Sequence, residues 1–526
     1  MRIGFASIYS WRPHTEHLHF LAGLMREGGH TPFYLTCDSD LPACYSRDLR
    51  PRIPSWIHCA ACRSGSLRSY VNENITSIGK LHPNTQDSPT NGMNWSASSA
   101  ATLGRFETDT ELASDEFIRM SKRLDPAVRI AYSAALRWID QNRLDAICLF
   151  NGRIDATRGL LEAARAAQIP FVTSERTWFG DGLHLTPNDN CLGLRATDAI
   201  ISAWRDVPLT RLQSLRAARH IASRFLKTNT KEWRAYNIKA RAAKWPVNNS
   251  AYRVLLTPGS RSESWGHPEL GIHWPQRTEA IDAVIDQLNL KAADVVLRCH
   301  PVWDETVGVN NGWMSERYYT EWARGRGIHV IPSTDSASTL GLIEQSDAII
   351  VCGGTAALEA GILGKQVIGV GPSTYQQAGF QSRGYTPPEI SGLRLNADLT
   401  KAERAAESHR IRRMTLRFCH NIVYRAPQFV PYIRAKTTTQ YEYFEGADSE
   451  RLTRLLRTGA LEADDGETCA DQAEENEVLA AIEMANWVDL LEAHIEPSAT
   501  KIRTVRRRTL YRPVDRLREA LPRGDF

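Results

Sequence analysis

The chain has 526 residues, too many for one ordinary domain and enough for two large ones with additions. Hydrophobic residues make up 42% and charged residues 24%, the balance of a globular protein with two sizeable cores. A formal charge of +4 gives no reason to expect wholesale nucleic-acid binding, no run of about twenty apolar residues is present to span a membrane, and Met1–Ile8 turns polar too soon for a secretion signal, so a cytoplasmic protein is expected.

The opening reads strand, turn, helix, strand. Arg2–Ile8 is apolar and β-branched, and Trp11-Arg12-Pro13-His14 breaks it. His17–Arg26 has helical spacing, with Leu18, Leu21 and Leu24 on one face, and Gly28-Gly29 stops it ahead of a strand at Pro32–Leu35. This βαβ start predicts a parallel sheet. Residues 38–115 are rich in Ser, Thr, Asn, Pro and Gly, and are expected to form an irregular insertion, partly disordered around Asn84–Ala101. Order returns with a helix at Glu116–Gln141, a strand at Asp145–Phe150, a helix at Thr157–Ala167, and strands at Ile169–Thr173 and Asp198–Trp204. Residues 205–245 read as basic and helical, with a linker near 240–252.

The α/β pattern then restarts. Strands are expected at Tyr252–Thr257, Asp294–Arg298, Ile328–Ile331, Ala348–Cys352 and Gln366–Val370, with helices at Trp274–Leu288, Ser336–Gln345 and Thr355–Leu363. The fold class is therefore α/β, with two facing doubly wound Rossmann-type domains at 1–245 and 246–440. A helical extension at 441–526 carries an acidic stretch, Glu462–Glu477. Ligands of such sheets bind at the carboxyl ends of the strands.

Three strand ends carry chemistry. In Ala348–Ala360 a buried strand runs into Gly353-Gly354-Thr355, where backbone N–H groups approach an anion closely and the Thr355 hydroxyl adds a donor; Glu359 follows one turn on. The plain alternative is a strand-to-helix turn with Thr355 as cap. No Gly-Lys-Ser/Thr follows, which excludes a Walker A loop. In Val295–Pro301 a strand ends in Arg298 and His300, where a phosphate would lie, with Pro301 stiffening the turn; the alternative is a capped strand with a solvated Arg. In the first half, one strand ends in Asn151-Gly152-Arg153 and the next in Glu175-Arg176. Glu175 is the carboxylate suited to general acid-base or nucleophilic work, unless it simply pairs with Arg176.

Together these stretches, over about residues 145–375, resemble the capsule polysaccharide biosynthesis family, which includes Kdo transferases. The family's Asn-Gly matches Asn151-Gly152, its Glu-Arg-Gly reads Glu175-Arg176-Thr177, its His-Pro matches His300-Pro301, and its Thr…Glu-Ala matches Thr355 and Glu359-Ala360. An Asp-Pro of the family reads Thr186-Pro187, and the stretch after its first C-domain strand reads Pro258-Gly259-Ser260-Arg261. The resemblance implies a GT-B-like glycosyltransferase that moves a sugar, often Kdo from CMP-Kdo, to a capsule, surface polysaccharide or glycolipid acceptor. His300 would contact the donor phosphate and Thr355 the phosphate or ribose. No metal is required, since Arg298, His300 and the Gly353–Thr355 turn stand in for one, and Arg261 or Arg298 would counter a sugar carboxylate. Glu175 is the expected catalytic group, with His14 and Asp155 in reserve, and Asn151, Arg153 and Arg176 lie on the acceptor side. Two competing readings are a sugar-nucleotide epimerase or hydrolase on the same fold, and a non-catalytic polysaccharide-assembly component.

Two features stand outside this frame. Cys37, Cys44, Cys59 and Cys62 fall in the insertion, and four thiols there could close around a structural zinc or remain unliganded. Lys501, Arg503, Arg506, Arg507, Arg508, Arg512, Arg516 and Arg518 form a basic tail that either touches an anionic membrane face or the export machinery, or is solvated.

Overall fold

The computed structural model describes residues 1–84, 94–262, 264–495 and 499–513. Two six-stranded sheets share one winding. In the first, β1 (Arg2–Ser7), β2 (Thr31–Thr36), β3 (Ile75–Ser77), β4 (Ala146–Phe150), β5 (Phe171–Arg176) and β6 (Leu183–Pro187) lie in the order β3-β2-β1-β4-β5-β6. All pairs are parallel except β5 with β6. In the second, β7 (Val254–Thr257), β8 (Val295–Arg298), β9 (His329–Ile331), β10 (Ala348–Val351), β11 (Gln366–Gly369) and β12 (Gln381–Arg383) lie in the order β9-β8-β7-β10-β11-β12, parallel throughout. The winding reverses between β1 and β4 and between β7 and β10, which opens a crevice at the carboxyl edge of each sheet.

Residue alternation explains why both sheets are covered on two faces. Along β7, Val254 and Leu256 enter one apolar cluster and Leu255 the other, and along β8 Val295 and Leu297 oppose Val296 in the same way. In the first sheet, helix α1 (His14–Glu27) buries Leu18, Leu21 and Leu24. The longer helices between α1 and β5 are α2 (Ser55–Gly65), α3 (Ala97–Gly104), α4 (Asp115–Asn142) and α5 (Asp155–Ala166). Helices α4 and α5 cross so closely at Gly159 that an added Cβ would sit 2.3 Å from the Val128 carbonyl oxygen.

Several elements differ from expectation. Residues 195–204 form helix α6 (Arg195–Trp204), not a strand, because Thr197, Ile200 and Ile201 are buried at helical spacing. Helix α7 (Arg211–Phe225) follows, and both pack in the core of the second sheet, with Ile201, Ala217 and Ile221 against residues such as Leu255 and Val351. The cores thus do not divide at residue 245. The insertion is built rather than irregular: β3 joins the first sheet, and Leu67, Val71, Leu81 and Leu103 enter its core. The expected disorder around Asn84–Ala101 lies partly outside the described residues, and α3 begins at Ala97.

Beyond helix α8 (Ala356–Ile362), helix α9 (Lys401–His420) leads into a three-stranded sheet of β13 (Ile433–Ala435), β14 (Tyr441–Phe444) and β15 (Ile502–Arg503). The extension is therefore mixed, not helical alone. Its helix α10 (Ser449–Thr458) buries Leu452, Leu455 and Leu456 in the core of the first domain. The acidic stretch is tied down: Glu475, fully buried, meets Arg417 through two contacts of 2.7 Å, and Asp464 accepts the amides of Phe429 and Val430.

The segment after α3 clamps the two domains. Arg105 donates to the carbonyls of Glu305 and Val302 at 2.8 and 2.9 Å, and the Arg261 amide donates to both carboxylate oxygens of buried Glu107. Phe106 and Phe117 of this segment form an apolar cluster with Trp265 and Met314 from the other domain. Replacing Phe106, 1% exposed, by Ala should lower the unfolding free energy by about 3–5 kcal/mol in urea titration, and a loss below about 1 kcal/mol would show that the clamp is unimportant.

Candidate active site

The first crevice lies where the loops after β1 and β4 diverge. His14 enters on the first turn of α1, Asn151 ends β4, and Glu175 sits near the end of β5. These three side chains meet. Asn151 Nδ2 donates to Glu175 Oε2 at 3.1 Å, His14 Nε2 lies 3.2 Å from Oε1, and the Arg176 amide donates to Oε1 at 3.2 Å. Asn151 reaches this position from a left-handed backbone, φ 63°, that its short polar side chain tolerates. A carboxylate only accepts, so the imidazole proton sits on Nε2. Nδ1 of His14 is buried and makes no hydrogen bond.

Burial raises the Glu175 carboxyl above its ordinary range, although Arg176 and the Asn151 hydrogen bond oppose it. Burial, reinforced by Arg176, pushes His14 well below 6.5, so the ring is neutral. Glu175 keeps 24% side-chain exposure against 8% for His14, which makes the carboxylate the group a substrate can meet. Arg176 lies 3.4 Å above the Trp233 ring and donates to the Thr438 carbonyl. Tyr441 from β14 stands edge-on to His17, 4.7 Å between ring centres, so the extension helps to wall this site.

The remaining first-domain candidates serve the scaffold. Asp155 is fully buried and accepts the amides of Tyr45 and Ala156 at 2.7 and 2.5 Å, which rules out a role against substrate in this geometry. Its carboxyl is raised to about 6 by burial. Arg153 donates to the hydroxyls of Ser98 and Thr102, both on α3.

The second crevice carries the Gly353-Gly354-Thr355 turn. Its glycines have φ 106° and 95°, and a Cβ on either would meet open space, so backbone conformation rather than crowding selects glycine. Thr355 and Glu359 are held from below. Arg224 of α7 donates to Thr355 Oγ1 at 2.8 Å and to Glu359 Oε1 at 2.8 Å, and pairs with Glu232. All three charged residues are buried. Burial alone would raise Glu232, but Arg224 outweighs it and holds the carboxyl at about 2. Glu359 is therefore a partner of Arg224 and not a free donor-binding group.

Two expected cations are also committed elsewhere. Arg298, 4% exposed, turns to the carbonyls of Pro332 and Asp335, because its strand end must satisfy the adjacent loop. Arg261 pairs with Asp109 of the other domain at 2.7 Å. His300 accepts the Val302 amide through Nδ1, with Pro301 opening the turn it caps, and its ring meets Tyr236 edge-on. Residue periodicity gives no signal for Arg224 and Glu232, since both lie in residues 205–245, a stretch that reads only as basic and helical. Trp233 and Tyr441 likewise reach the first crevice from distant segments.

Cys37, Cys44, Cys59 and Cys62 all line one small cavity, the last two from α2, and burial lifts Cys37 and Cys44 to about 11 and 12. Among the described residues, three potential ligand atoms converge within 4.8 Å only at Asp189, His267 and Glu269. There His267 accepts the Glu269 amide through Nδ1 and faces Asp189 through Nε2 at 3.2 Å, a latch between the domains.

No family model matches the chain, and no curated protein matches it. Solved structures with some likeness include the Thermosulfurimonas dismutans KpsC β-Kdo 2,4 transferase, 14% identical over 64% of this chain and 87% of that one, with a TM-score of 0.34. A putative UDP-N-acetylglucosamine 2-epimerase from Listeria monocytogenes is 10% identical over 87% and 96%, TM-score 0.26. The Streptomyces sp. SF2575 glycosyltransferase SsfS6, complexed with thymidine diphosphate, is 9% identical over 79% and 95%, TM-score 0.23. Such scores assign no activity. The GT-B-like class rests on the strand order of the chain itself, two doubly wound sheets with one crevice each. Among the described residues, no helix is long and apolar enough to cross a membrane.

Two predictions follow from the buried charges. Arg224→Ala leaves Glu232 and Glu359 buried without their cation, and should cost about 3–5 kcal/mol of stability in urea titration; a cost under about 1 kcal/mol would contradict the network. His14 and His17 are both held well below 6.5, burial being the main cause. Their stabilising contribution is complete above the unfolded value and is lost as pH falls toward the folded ones, so the melting temperature should drop between about pH 7 and pH 5. A variant with both residues replaced by Gln should flatten that drop, and an unchanged slope would refute the assignment.

Proposed function

We propose that the protein is a glycosyltransferase that uses a nucleotide sugar and an acceptor hydroxyl, with Glu175 as the group that takes the hydroxyl proton. One observation carries this reading: a partly exposed carboxylate, raised by burial, is held by His14 and Asn151 at the crevice of the first sheet. A base with a raised pKa is matched to proton transfer near neutrality. His14 and Asn151 are positioning residues that fix the carboxylate, and Arg176 offers a cation to an acidic acceptor.

The donor is assigned to the second crevice. Its phosphate would lie against the Gly353–Thr355 turn and His300, with no metal required. Motif resemblance at Asn151-Gly152, Glu175-Arg176, His300-Pro301 and Thr355 supports an acidic sugar such as Kdo carried on CMP, and a capsule, surface polysaccharide or glycolipid acceptor.

The test is nucleotide release from CMP-Kdo and a panel of UDP- and TDP-sugars, with and without saccharide acceptors. Acceptor-dependent release with a glycosylated product is expected. Acceptor-independent release would instead indicate a hydrolase or epimerase, and binding without turnover an assembly component. Glu175→Gln should lower turnover about a hundredfold while donor affinity by calorimetry stays unchanged, and wild-type turnover in that variant would remove Glu175 from the chemistry.

A further inference from the structure

Two segments far apart in sequence carry cations and no carboxylate. Residues 50–72 contain Arg50, Arg52, Arg63 and Arg68, and residues 499–513 contain Lys501, Arg503, Arg506, Arg507, Arg508 and Arg512. The fold lays them side by side. The Arg508 amide donates to the Ser69 carbonyl at 2.7 Å, and buried Arg507 donates to the Ser64 carbonyl at 2.8 Å.

Large apolar side chains protrude from the same face. Trp56 is 73% exposed and Leu510 77%, while Ile53 and Ile57 are each 41% exposed. Every residue from 51 to 57 is exposed, as are Arg63, Arg506, Arg508 and Arg512. An open groove of about 670 Å³ runs between α2 and the tail, lined by residues that include Arg47, Trp56, Arg63, Arg68 and Tyr511. Arg68 pairs with Asp38, and its Nε–H is buried without a hydrogen-bond partner.

We propose that this face docks on an anionic phospholipid surface, with Trp56, Ile53, Ile57 and Leu510 entering the head-group boundary and the arginine rim meeting lipid phosphates. Trp suits the water–acyl boundary because it joins an apolar body to a polar N–H. Arg68, Arg503 and Lys501 pair with Asp38, Glu27 and Glu445, and the exposed Arg63, Arg506 and Arg508 are the cations drawn to the negative potential of anionic lipid. A nucleic acid would satisfy the arginines, but it gives no reason for three exposed aliphatic side chains beside them. The groove would take a phosphate head group between Arg47 and Arg63, which line it together. This docking does not rest on the glycosyltransferase reading.

The experiment is cosedimentation of the full chain with vesicles of phosphatidylcholine alone or mixed with phosphatidylglycerol. Binding to the mixed vesicles, weakened by salt and about tenfold weaker on phosphatidylcholine alone, is expected. Trp56→Ser and the double variant Arg63→Glu, Arg506→Glu should each bind about tenfold less, with melting temperatures unchanged because all three positions are exposed. Arg317→Glu, at an exposed position on another helix, should bind as wild type. Equal binding to both vesicle types, no binding to either, or wild-type binding by the two test variants would overturn the proposal. Polyuridylate is the competing probe: if it displaces the vesicles and Trp56→Ser binds it as wild type, the face is a nucleic-acid site instead.

Discussion

Glu107 is a buried carboxylate on the first domain whose partners belong to the second. It takes the Arg261 amide on both oxygens and the Ser315 hydroxyl at 3.0 Å. A charge removed from water in this way is tolerable only while those donors stay in place. The contact therefore fixes the loop after β7 against the first domain. Arg105 does the same for the loop after β8. Both loops border the second crevice, so the spacing between the two candidate sites depends on this clamp. The proposed transfer reaction would need that spacing, because its two substrates would meet between sheets that share no strand.

The clamp also accounts for the shape of the chain path. The second domain collects α6 and α7 before its first strand, and the C-terminal segment returns to the first domain through α10 and β14. Buried ion pairs tie these segments into the second core, Arg224 with Glu232 and Glu359, and Arg417 with Glu475. Replacing such pairs by apolar residues is often neutral in stability, so their retention fits a role in fixing one arrangement.

Much of the fold was legible from residue patterns. The central strands of both sheets are short apolar runs ended by polar residues, and each run that seeds a crevice is visible as a strand end: Asn151 after β4, Glu175 on β5, and Gly353 after β10. What escaped was set by tertiary contact. Residues 198–204 carry an apolar pair, Ile200 and Ile201, that fits a strand or a helix, and only packing with Thr197 on the second core decides between them. The insertion looked irregular because its order comes from single anchors such as Leu67 and Phe106, not from a repeated period. Strand-end arginines were read as ligand groups, yet Arg298 satisfies carbonyls of a neighbouring loop whose position no local pattern reveals.

The same limit explains the asymmetry between the two crevices. In the first crevice, sequence candidates converge: His14, Asn151 and Glu175 lie at or beyond three strand ends and meet within hydrogen-bond reach. Winding order forces this, since β1, β4 and β5 are adjacent and their carboxyl ends must be neighbours. In the second crevice, the cations named from the sequence are spent on structure, and the open element is backbone, the Gly353–Thr355 turn. A site whose donors are main-chain N–H groups depends on glycine conformation and on the support beneath it. Arg224 is that support, through Thr355 and Glu359, and it comes from a helix that precedes the second sheet in sequence. The shape of the glycine turn and the packing of the second core are thereby joined at one guanidinium, so disturbing either should disturb the other.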